Sequence, residues 1–272
     1  MDLAAVRVPL HPLHAPSPCA WIPSPFPYIP ESQMNLAMLA PVAGLAIASS
    51  ASAAFTGFVV SSVDVVNSGQ NLRVYTVAAS FEGPTDTLLN CFNFGSAGGV
   101  MTGFWHKDNA SYNSGVLSQE FGTWNASQSG SATLNRPFDS YLTIGGQAAG
   151  TNTTNADPSW VSGGNADARS WNRPDLPNNG TIGWFNSNPP NLQGRVGNSP
   201  GLGANLVRIG QFVLSANDPS QAGIGRAYVV TLGYNSGVPG TPVQFATSVF
   251  TLPAPGAIAV LGLAGLAGRR RR

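Results

Sequence analysis

The sequence predicts an all-β protein, an antiparallel β-sandwich with long polar loops. Several segments rich in Val, Phe, Tyr and Thr partly alternate apolar and polar residues, which is the period of a strand with one buried face. Turn-forming Gly, Pro, Asn and Asp separate these segments, for example at 67–69, 82–84 and 235–237. No tandem repeat and no convincing amphipathic helix interrupts this pattern, so solenoids, propellers and helical folds are disfavoured.

Eight segments carry the strand pattern. They are residues 55–66, 70–81, 87–94, 100–106, 140–144, 205–215, 226–234 and 243–252. In the second segment, Leu72 and Val74 lie on one face and Tyr75 lies on the other. Eight such strands joined by turns favour a jelly-roll-like sandwich or the kind that cohesin and carbohydrate-binding modules use.

The segment 107–203 differs from the rest of the chain. Asn, Ser, Gly, Thr and Pro dominate it, and it carries only one predicted strand, 140–144. Loops of this length are uncommon inside a compact domain. Because short Asn, Ser and Thr side chains can satisfy backbone groups through Asx and related turns, we expect an ordered loop cap over one end of the sandwich.

The composition is typical of an exported, loop-rich protein. Charged residues make up only 9% of the 272 residues, whereas about a quarter is usual for a soluble domain. Residues 54–252 contain eight Lys or Arg and ten Asp or Glu, a net charge of −2, so the overall charge of +1 depends on the terminal arginines. No basic patch along the chain is suited to binding nucleic acid. The length fits a single β domain of roughly 200 residues between two removable ends.

The N-terminal part divides into a proline-rich extension and a predicted secretion signal. Residues 1–33 contain eight prolines, which disfavour regular structure. Met34 is a candidate translation start, and the apolar run 34–53 that follows has the features of a signal peptide. The residues that mark its cleavage site are Ala51, Ala53 and Ala54. We expect the mature chain to begin near Ala54, and a buried helix is the alternative interpretation of this run.

The C-terminal segment 252–272 has three parts. A spacer is formed by Pro253, Ala254, Pro255 and Gly256, an apolar run follows, and the chain ends in Arg269, Arg270, Arg271 and Arg272. Prolines favour extended backbone before them, so the spacer is expected to be stiff and open to a processing enzyme. The apolar run 257–268 is shorter than the roughly 20 residues that span a bilayer core. It suits a transient anchor, with the arginines on the cytoplasmic side, and the alternative interpretation is a short helix that packs on its own domain.

At these residues the chain resembles the PEP-CTERM sorting signal, in which a Pro-Glu-Pro motif precedes an apolar helix and a basic cluster. The resemblance covers segment 252–272 alone, and Ala254 departs from the pattern because the family usually has Glu there. The Pro-Ala-Pro variant is similar to tails of planctomycete-type proteins. The resemblance implies recognition by an exosortase-type transpeptidase, removal of the tail, and delivery to the cell surface or extracellular matrix. The ice-binding label found on some proteins with this tail would describe the tail and not an activity.

Candidate catalytic residues are few. Within 54–252, His106 and Cys91 are the single histidine and the single cysteine, which excludes a Cys/His zinc cluster and a disulfide within the mature chain. We expect Cys91 to be a buried structural thiol and His106 a surface or capping residue, with nucleophile and general base as the alternative roles. No nucleophile elbow, zincin or P-loop motif occurs. Carboxylates that could form a glycosidase pair are Asp108, Glu120, Asp139, Asp157, Asp167 and Asp175.

Two kinds of binding site remain open. The candidate glycan-stacking residues are Trp105, Trp124, Trp160, Trp171 and Trp184, which lie in or beside the polar segment. An exposed indole can stack on a sugar ring, whereas the alternative is that these rings anchor the loop cap in the core.

Asn-Ala-Asp sequences at 155–157 and 165–167 offer oxygen ligands for Ca²⁺ but lack the rest of an EF-type loop, so no metal or cofactor is predicted. Asn-x-Ser/Thr sequons begin at Asn109, Asn125, Asn152 and Asn179.

The sequence therefore predicts a non-enzymatic protein that is exported and then sorted to the cell surface or extracellular matrix. Its expected partners are signal peptidase and an exosortase-type transpeptidase, with transient anchoring in the inner membrane. Extracellular polysaccharide is a further candidate partner. A carbohydrate-binding module is the alternative function, and a secreted glycan-active enzyme is the third hypothesis.

Overall fold

The computed structural model describes residues 53–67, 69–97, 101–106, 117–119, 122–126, 138–158, 160, 171, 173–177, 180, 182–216 and 226–253. All of them belong to one compact unit, Ser49–Arg272. The predicted signal segment 34–53 lies outside the described residues except for Ala53. The predicted C-terminal apolar helix also lies outside them, since the description ends at Pro253.

The described residues form two antiparallel sheets packed against each other, which confirms the predicted all-β sandwich. The strands are β1 (Phe55–Asn67), β2 (Gln70–Phe81), β3 (Thr87–Ser96), β4 (Tyr141–Leu142), β5 (Thr154–Ala156), β6 (Ile182–Asn186), β7 (Leu206–Ser215), β8 (Arg226–Asn235) and β9 (Gln244–Leu252). One sheet has the order β1-β2-β7-β4, and the other has the order β5-β6-β3-β8-β9. A short 3₁₀ helix, Pro189–Asn191, lies between β6 and β7.

Turn residues form the predicted reversals beside the long strands. β1 pairs with β2 up to Asn67 opposite Gln70, and Gly69 in this turn has a φ of 79°, a left-handed conformation that favours glycine. After β8, the Asn235 side-chain Oδ1 accepts a 2.9 Å hydrogen bond from the Gly237 N–H. This is the local bond of an Asx turn, so the Asn-Ser-Gly sequence itself supplies the chain reversal.

The core between the sheets is rich in aromatic rings. Its largest fully buried side chains include Trp124, Trp160, Trp184, Tyr228, Phe81, Phe94, Phe104 and Phe212. The Tyr228 ring stacks on the rings of Phe94 and Phe212, with centroid distances of 5.3 and 6.0 Å. Aromatic pairs contribute about 0.5–1.5 kcal/mol beyond the burial of their area. The core is thus held by rings from both sheets, because β3 and β8 belong to one sheet and β7 to the other.

Side-chain hydrogen bonds hold the polar segment between β4 and β7. The Gln193 Nε2 donates to the Ile144 carbonyl at 2.7 Å and also lies 3.2 Å from Thr154 Oγ1. The Asn152 Nδ2 donates to Thr143 Oγ1 at 2.9 Å. Amide and hydroxyl side chains therefore satisfy buried polar groups here, as we expected of an ordered loop segment.

One predicted strand is absent. The prediction of a strand over 100–106 is wrong, because the described part of this segment has no ladder and only His106 forms an isolated bridge, with Ser118. The Trp105 N–H donates to the Val213 carbonyl, and the Trp105 carbonyl accepts from the Ser140 N–H. The segment has the composition of a strand. Its backbone hydrogen bonds, however, go to two separate parts of the chain, so the described residues form no ladder with a single partner strand.

Two strands, β5 and β6, were not predicted. They lie in the polar segment, where the sequence indicated a single strand over 140–144. β5 has only three residues, and β6 is a five-residue strand in which Gly183 and Asn186 disfavour a strand although Ile182, Trp184 and Phe185 favour one. Their pairing with each other and with β3 supplies the stability that their own sequences lack.

Candidate functional site

Both ends of the folded unit lie next to predicted processing sites. β1 begins at Phe55, one residue after Ala54, and β9 ends at Leu252, immediately before Pro253. The Tyr75 hydroxyl donates a 2.5 Å hydrogen bond to the Pro253 carbonyl oxygen, which ties the end of the sheet to β2. The remaining predicted processing residues, Ala51, Ala254, Pro255, Gly256, Arg269, Arg270, Arg271 and Arg272, lie outside the described residues.

The predicted signal-peptidase site packs against the turn between β2 and β3. Ala53 is 3% exposed and belongs to the core. The Ala54 N–H donates to Asp86 Oδ2 at 3.3 Å, and its carbonyl accepts from the Glu82 N–H at 3.0 Å. The Asp86 side chain is 2% exposed, and the same oxygen also accepts from the Gly83 N–H at 3.0 Å. The first residue of the expected mature chain is therefore bonded to a buried carboxylate.

Four of the five candidate tryptophans are buried, which corrects their interpretation as glycan-stacking residues. They are Trp124, Trp160, Trp171 and Trp184, and each is 5% exposed or less. The Trp160 Nε1 donates to the Gly183 carbonyl at 2.7 Å. The Trp184 Nε1 donates to the Thr143 carbonyl at 3.0 Å. Buried indoles offer no ring face to a sugar. The burial instead supports the other interpretation of these tryptophans, in which their rings anchor the polar segment in the core.

Trp105 is half-buried and belongs to a second hydrophobic cluster. It packs with Leu72, Val74 and Val213, which lie on the face of the first sheet that points away from the main core. Its Nε1 donates to the Ser215 Oγ at 2.9 Å. The ring covers part of that face, so its principal contact is with β2 and β7.

Cys91 is a buried free thiol, as predicted. It lies on β3 opposite Leu232 of β8 and Trp184 of β6, inside the core. Burial raises the pKa of this thiol well above its ordinary value. Because the thiolate is the reactive form, we expect Cys91 to react slowly at neutral pH in the folded protein.

The prediction that His106 is a surface or capping residue is wrong. The side chain is fully buried, and its ring packs edge-on against Trp124 with centroids 4.7 Å apart. Its Nδ1 lies 2.9 Å from the Ser140 carbonyl oxygen, and its Nε2 lies 3.0 Å from the Pro174 carbonyl oxygen. Both ring nitrogens therefore face backbone carbonyl oxygens. These contacts fix the orientation of the ring inside the core. Its burial follows from its neighbours in space, which the local sequence does not show.

Three of the candidate carboxylates are described. Asp175 forms an ion pair with Arg173 at 3.2 Å, and Asp139 Oδ1 lies 3.5 Å from His106 Nδ1. Asp157 follows β5, and its backbone N–H bonds to Gly183. Asp108, Glu120 and Asp167 lie outside the described residues.

The Asn-Ala-Asp sequence at 155–157 does not form a metal-binding loop. Asn155 is paired with Phe185 inside a two-strand ladder, whereas an EF-type site takes its ligands from one continuous loop. Among the described residues, no group of three His, Cys, Asp or Glu side chains is arranged to hold a metal ion.

The sequon residue Asn152 is buried and its amide is hydrogen-bonded to Thr143, so a glycan there would disrupt the fold.

The structure also contains an apolar surface that the sequence analysis did not identify. The outward side of β9 exposes Phe245 by 63% and Val249 by 51%, with Thr247 between them. The Phe245 ring makes an edge contact with Phe92 of β3 at 5.9 Å, and Thr247 is hydrogen-bonded to Thr231 of β8 at 2.8 Å. We call these five residues the outer β9 face. The alternation of residues along β9 was visible in the sequence, but the exposure of this side of the strand was not.

Comparisons of the chain with protein-family models, with curated proteins and with solved structures gave no match. Within the part of the chain that the structure describes, no helix has the length and apolar character needed to cross a membrane. The features that bear on function are therefore the two ends of the folded unit and its exposed outer β9 face.

Proposed function

We propose that this chain is an exported, non-enzymatic protein of the cell surface or extracellular matrix, and that its C-terminal tail directs exosortase-type sorting. The observation that carries this proposal is the position of the two processing sites relative to the strands. β1 begins at Phe55 and β9 ends at Leu252. Removal of residues 1–53 and of the tail after Pro253 therefore leaves all nine described strands intact.

The hydrogen bond from Tyr75 supports the C-terminal half of this proposal. It holds the Pro253 carbonyl against β2, so the Pro-Ala-Pro-Gly spacer starts directly after β9. A transpeptidase needs an extended substrate that it can reach, and prolines favour extended backbone. The apolar run 257–268 and the arginines would hold the precursor at the inner membrane until that cleavage.

Intact-mass analysis of the protein from its native envelope and medium tests this proposal. We expect loss of mass at both ends, near Ala53 and between Pro253 and Gly256. A variant in which the four terminal arginines are replaced by serine should accumulate in a different fraction, whereas Arg195→Gln within the domain should be sorted normally. A native species that keeps Arg269 to Arg272 would refute sorting and indicate a permanent anchor or no processing.

A second candidate function, polysaccharide binding, is favoured by the outer β9 face. The exposed Phe245 and Thr247 lie on the same side of β9, and an aromatic ring with a hydroxyl group nearby is an arrangement that can stack on and orient a sugar. The candidate glycan-binding residues are therefore those of the outer β9 face and not the tryptophans. A pull-down with insoluble matrix polysaccharide from the source cells tests it.

The matched pair of variants for this pull-down is Phe245→Ala and Val238→Ala. Both side chains are more than half exposed, but Val238 lies in the turn after β8. We expect Phe245→Ala to weaken binding at least tenfold and Val238→Ala to leave it unchanged. Equal binding by the wild type and both variants would exclude this face as the glycan site.

A further inference from the structure

We propose that signal-peptide removal adds a buried ion pair to the fold. Cleavage after Ala53 would convert the backbone nitrogen of Ala54 into an α-ammonium group, and this cation would pair with the carboxylate of Asp86. In the uncleaved chain the two atoms, Ala54 N and Asp86 Oδ2, already lie 3.3 Å apart. The inference rests on the export signal proposed above, and it gives the cleavage a stabilising effect on the mature domain.

The surroundings of Asp86 provide the first part of the argument. Its side chain is 2% exposed, and it accepts hydrogen bonds from two backbone N–H groups, those of Gly83 and Ala54. The ion pairs found among the described residues do not include Asp86. Buried carboxylates are normally paired with a cation, because burial of an unpaired charge is costly. The carboxylate therefore occupies a position where a nearby cation would be strongly favoured.

The chemistry of the cleavage provides the second part. Hydrolysis adds one water across the Ala53–Ala54 peptide bond, so that the C–N bond breaks, the hydroxyl joins the Ala53 carbonyl carbon and a proton joins the Ala54 nitrogen. The new Ala53 carboxyl group then releases its proton to water, and the Ala54 amine takes up a proton from water. An α-amino group has an ordinary pKa near 8, so the product carries a positive charge at neutral pH. A neutral nitrogen with one N–H thus becomes a cation with three, at hydrogen-bonding distance from Asp86. Charge-assisted hydrogen bonds are about twice as strong as neutral ones.

The local structure retains Ala54 after cleavage. Its carbonyl still accepts from the Glu82 N–H, and Phe55 still begins β1. Cleavage does remove Ala53, whose methyl group is buried in the core. A competing explanation is that Asp86 only caps the turn through Gly83, and in that case its contribution would be the same before and after cleavage.

Urea unfolding of two natural forms separates these explanations. One form is the processed protein recovered after export, and the other is the full-length chain produced without export. We expect Asp86→Asn to lower the folding equilibrium constant about tenfold more in the processed form than in the precursor, a difference of about 1.4 kcal/mol. Asp64→Asn, which removes an exposed ion pair on β1, is the control and should affect both forms equally. Equal losses from Asp86→Asn in the two forms would overturn the proposal.

Amine labelling tests the same ion pair without a substitution, and so covers the case in which Asp86→Asn fails to fold. A processed chain that begins at Ala54 has only two amines, its α-amine and Lys107, because the sequence contains a single lysine. We expect an N-hydroxysuccinimide ester to acylate the α-amine at least tenfold more slowly in the native protein than in urea, with the site assigned by mass spectrometry. Equal rates in both conditions would refute the ion pair.

The mass spectrum also distinguishes failure of this inference from failure of the proposed function. An exported protein whose first residue is not Ala54 would overturn the ion pair but leave export and sorting intact. An uncleaved N-terminus in the native protein would refute export itself.

Discussion

Replacement of Trp184 tests whether the tryptophans serve the core or a ligand. Its ring makes an edge contact with Phe94 at 5.4 Å, and its Nε1 donates to the buried Thr143 carbonyl at 3.0 Å. Truncation of a buried tryptophan to alanine costs about 3–5 kcal/mol, a large part of the roughly 5–15 kcal/mol that stabilises a typical domain. Trp184→Phe keeps a ring but leaves the carbonyl without its donor, so we expect a smaller loss of about 1–3 kcal/mol.

The assay is urea unfolding of the processed protein, followed by far-ultraviolet circular dichroism, with polysaccharide pull-down on the same samples. Trp105→Phe is the matched control. That ring is only half-buried and its N–H bonds to a side-chain hydroxyl, Ser215 Oγ, so its loss should cost about 1 kcal/mol or less. A Trp184→Phe protein with wild-type stability and no polysaccharide binding would refute the assignment of Trp184 to the core.

Three further predictions follow from single features of the sandwich. Native Cys91 should resist a maleimide at pH 8 and react in urea, since burial raises the pKa of its thiol; rapid labelling of the native protein would contradict this. Hydrogen bonds from Arg73 hold the pKa of Asp64 below its usual range. This exposed pair should therefore contribute less than about 1 kcal/mol, present above the unfolded pKa of about 4 and lost as the pH falls through the lower folded value, as checked by urea unfolding of Asp64→Asn from pH 2 to 6. Gly145→Ala should cost about 2–4 kcal/mol in the same assay, because its φ is 83° and a Cβ there would collide with a backbone carbonyl. Gly240→Ala has the same φ with open space around it, and a loss as large as that of Gly145→Ala would contradict the steric argument.

The long strands could be predicted because their sequence pattern and their environment agree. Segment 70–81 alternates residues between two buried faces, and β2 has those bounds. Segment 100–106 has a similar composition but forms no ladder, because its backbone bonds go to Val213 and Ser140. Local alternation reports which side chains could share a face, whereas a ladder also requires a partner strand at the right distance.

The candidate site residues could be predicted only where the chemistry is local. The features that suggest cleavage near Ala53 and Pro253 are short contiguous sequences that an enzyme would recognise in extended form. The tryptophans are a different case, because the same Asn- and Ser-rich surroundings are compatible with an exposed or a buried indole. Trp160 is buried, and its N–H is satisfied in the core by the carbonyl of Gly183, more than twenty residues away.

Composition, turn residues and strand periodicity were sufficient to predict an all-β sandwich, since each depends on neighbours within a few residues. Folding in three dimensions brought Asp86 to the nitrogen of Ala54, 32 residues away, and left Phe245 and Val249 of the outer β9 face exposed. These features arise from contacts between segments that are distant in the chain. No local pattern of residues encodes them, because burial and pairing depend on which strands become neighbours in the two sheets.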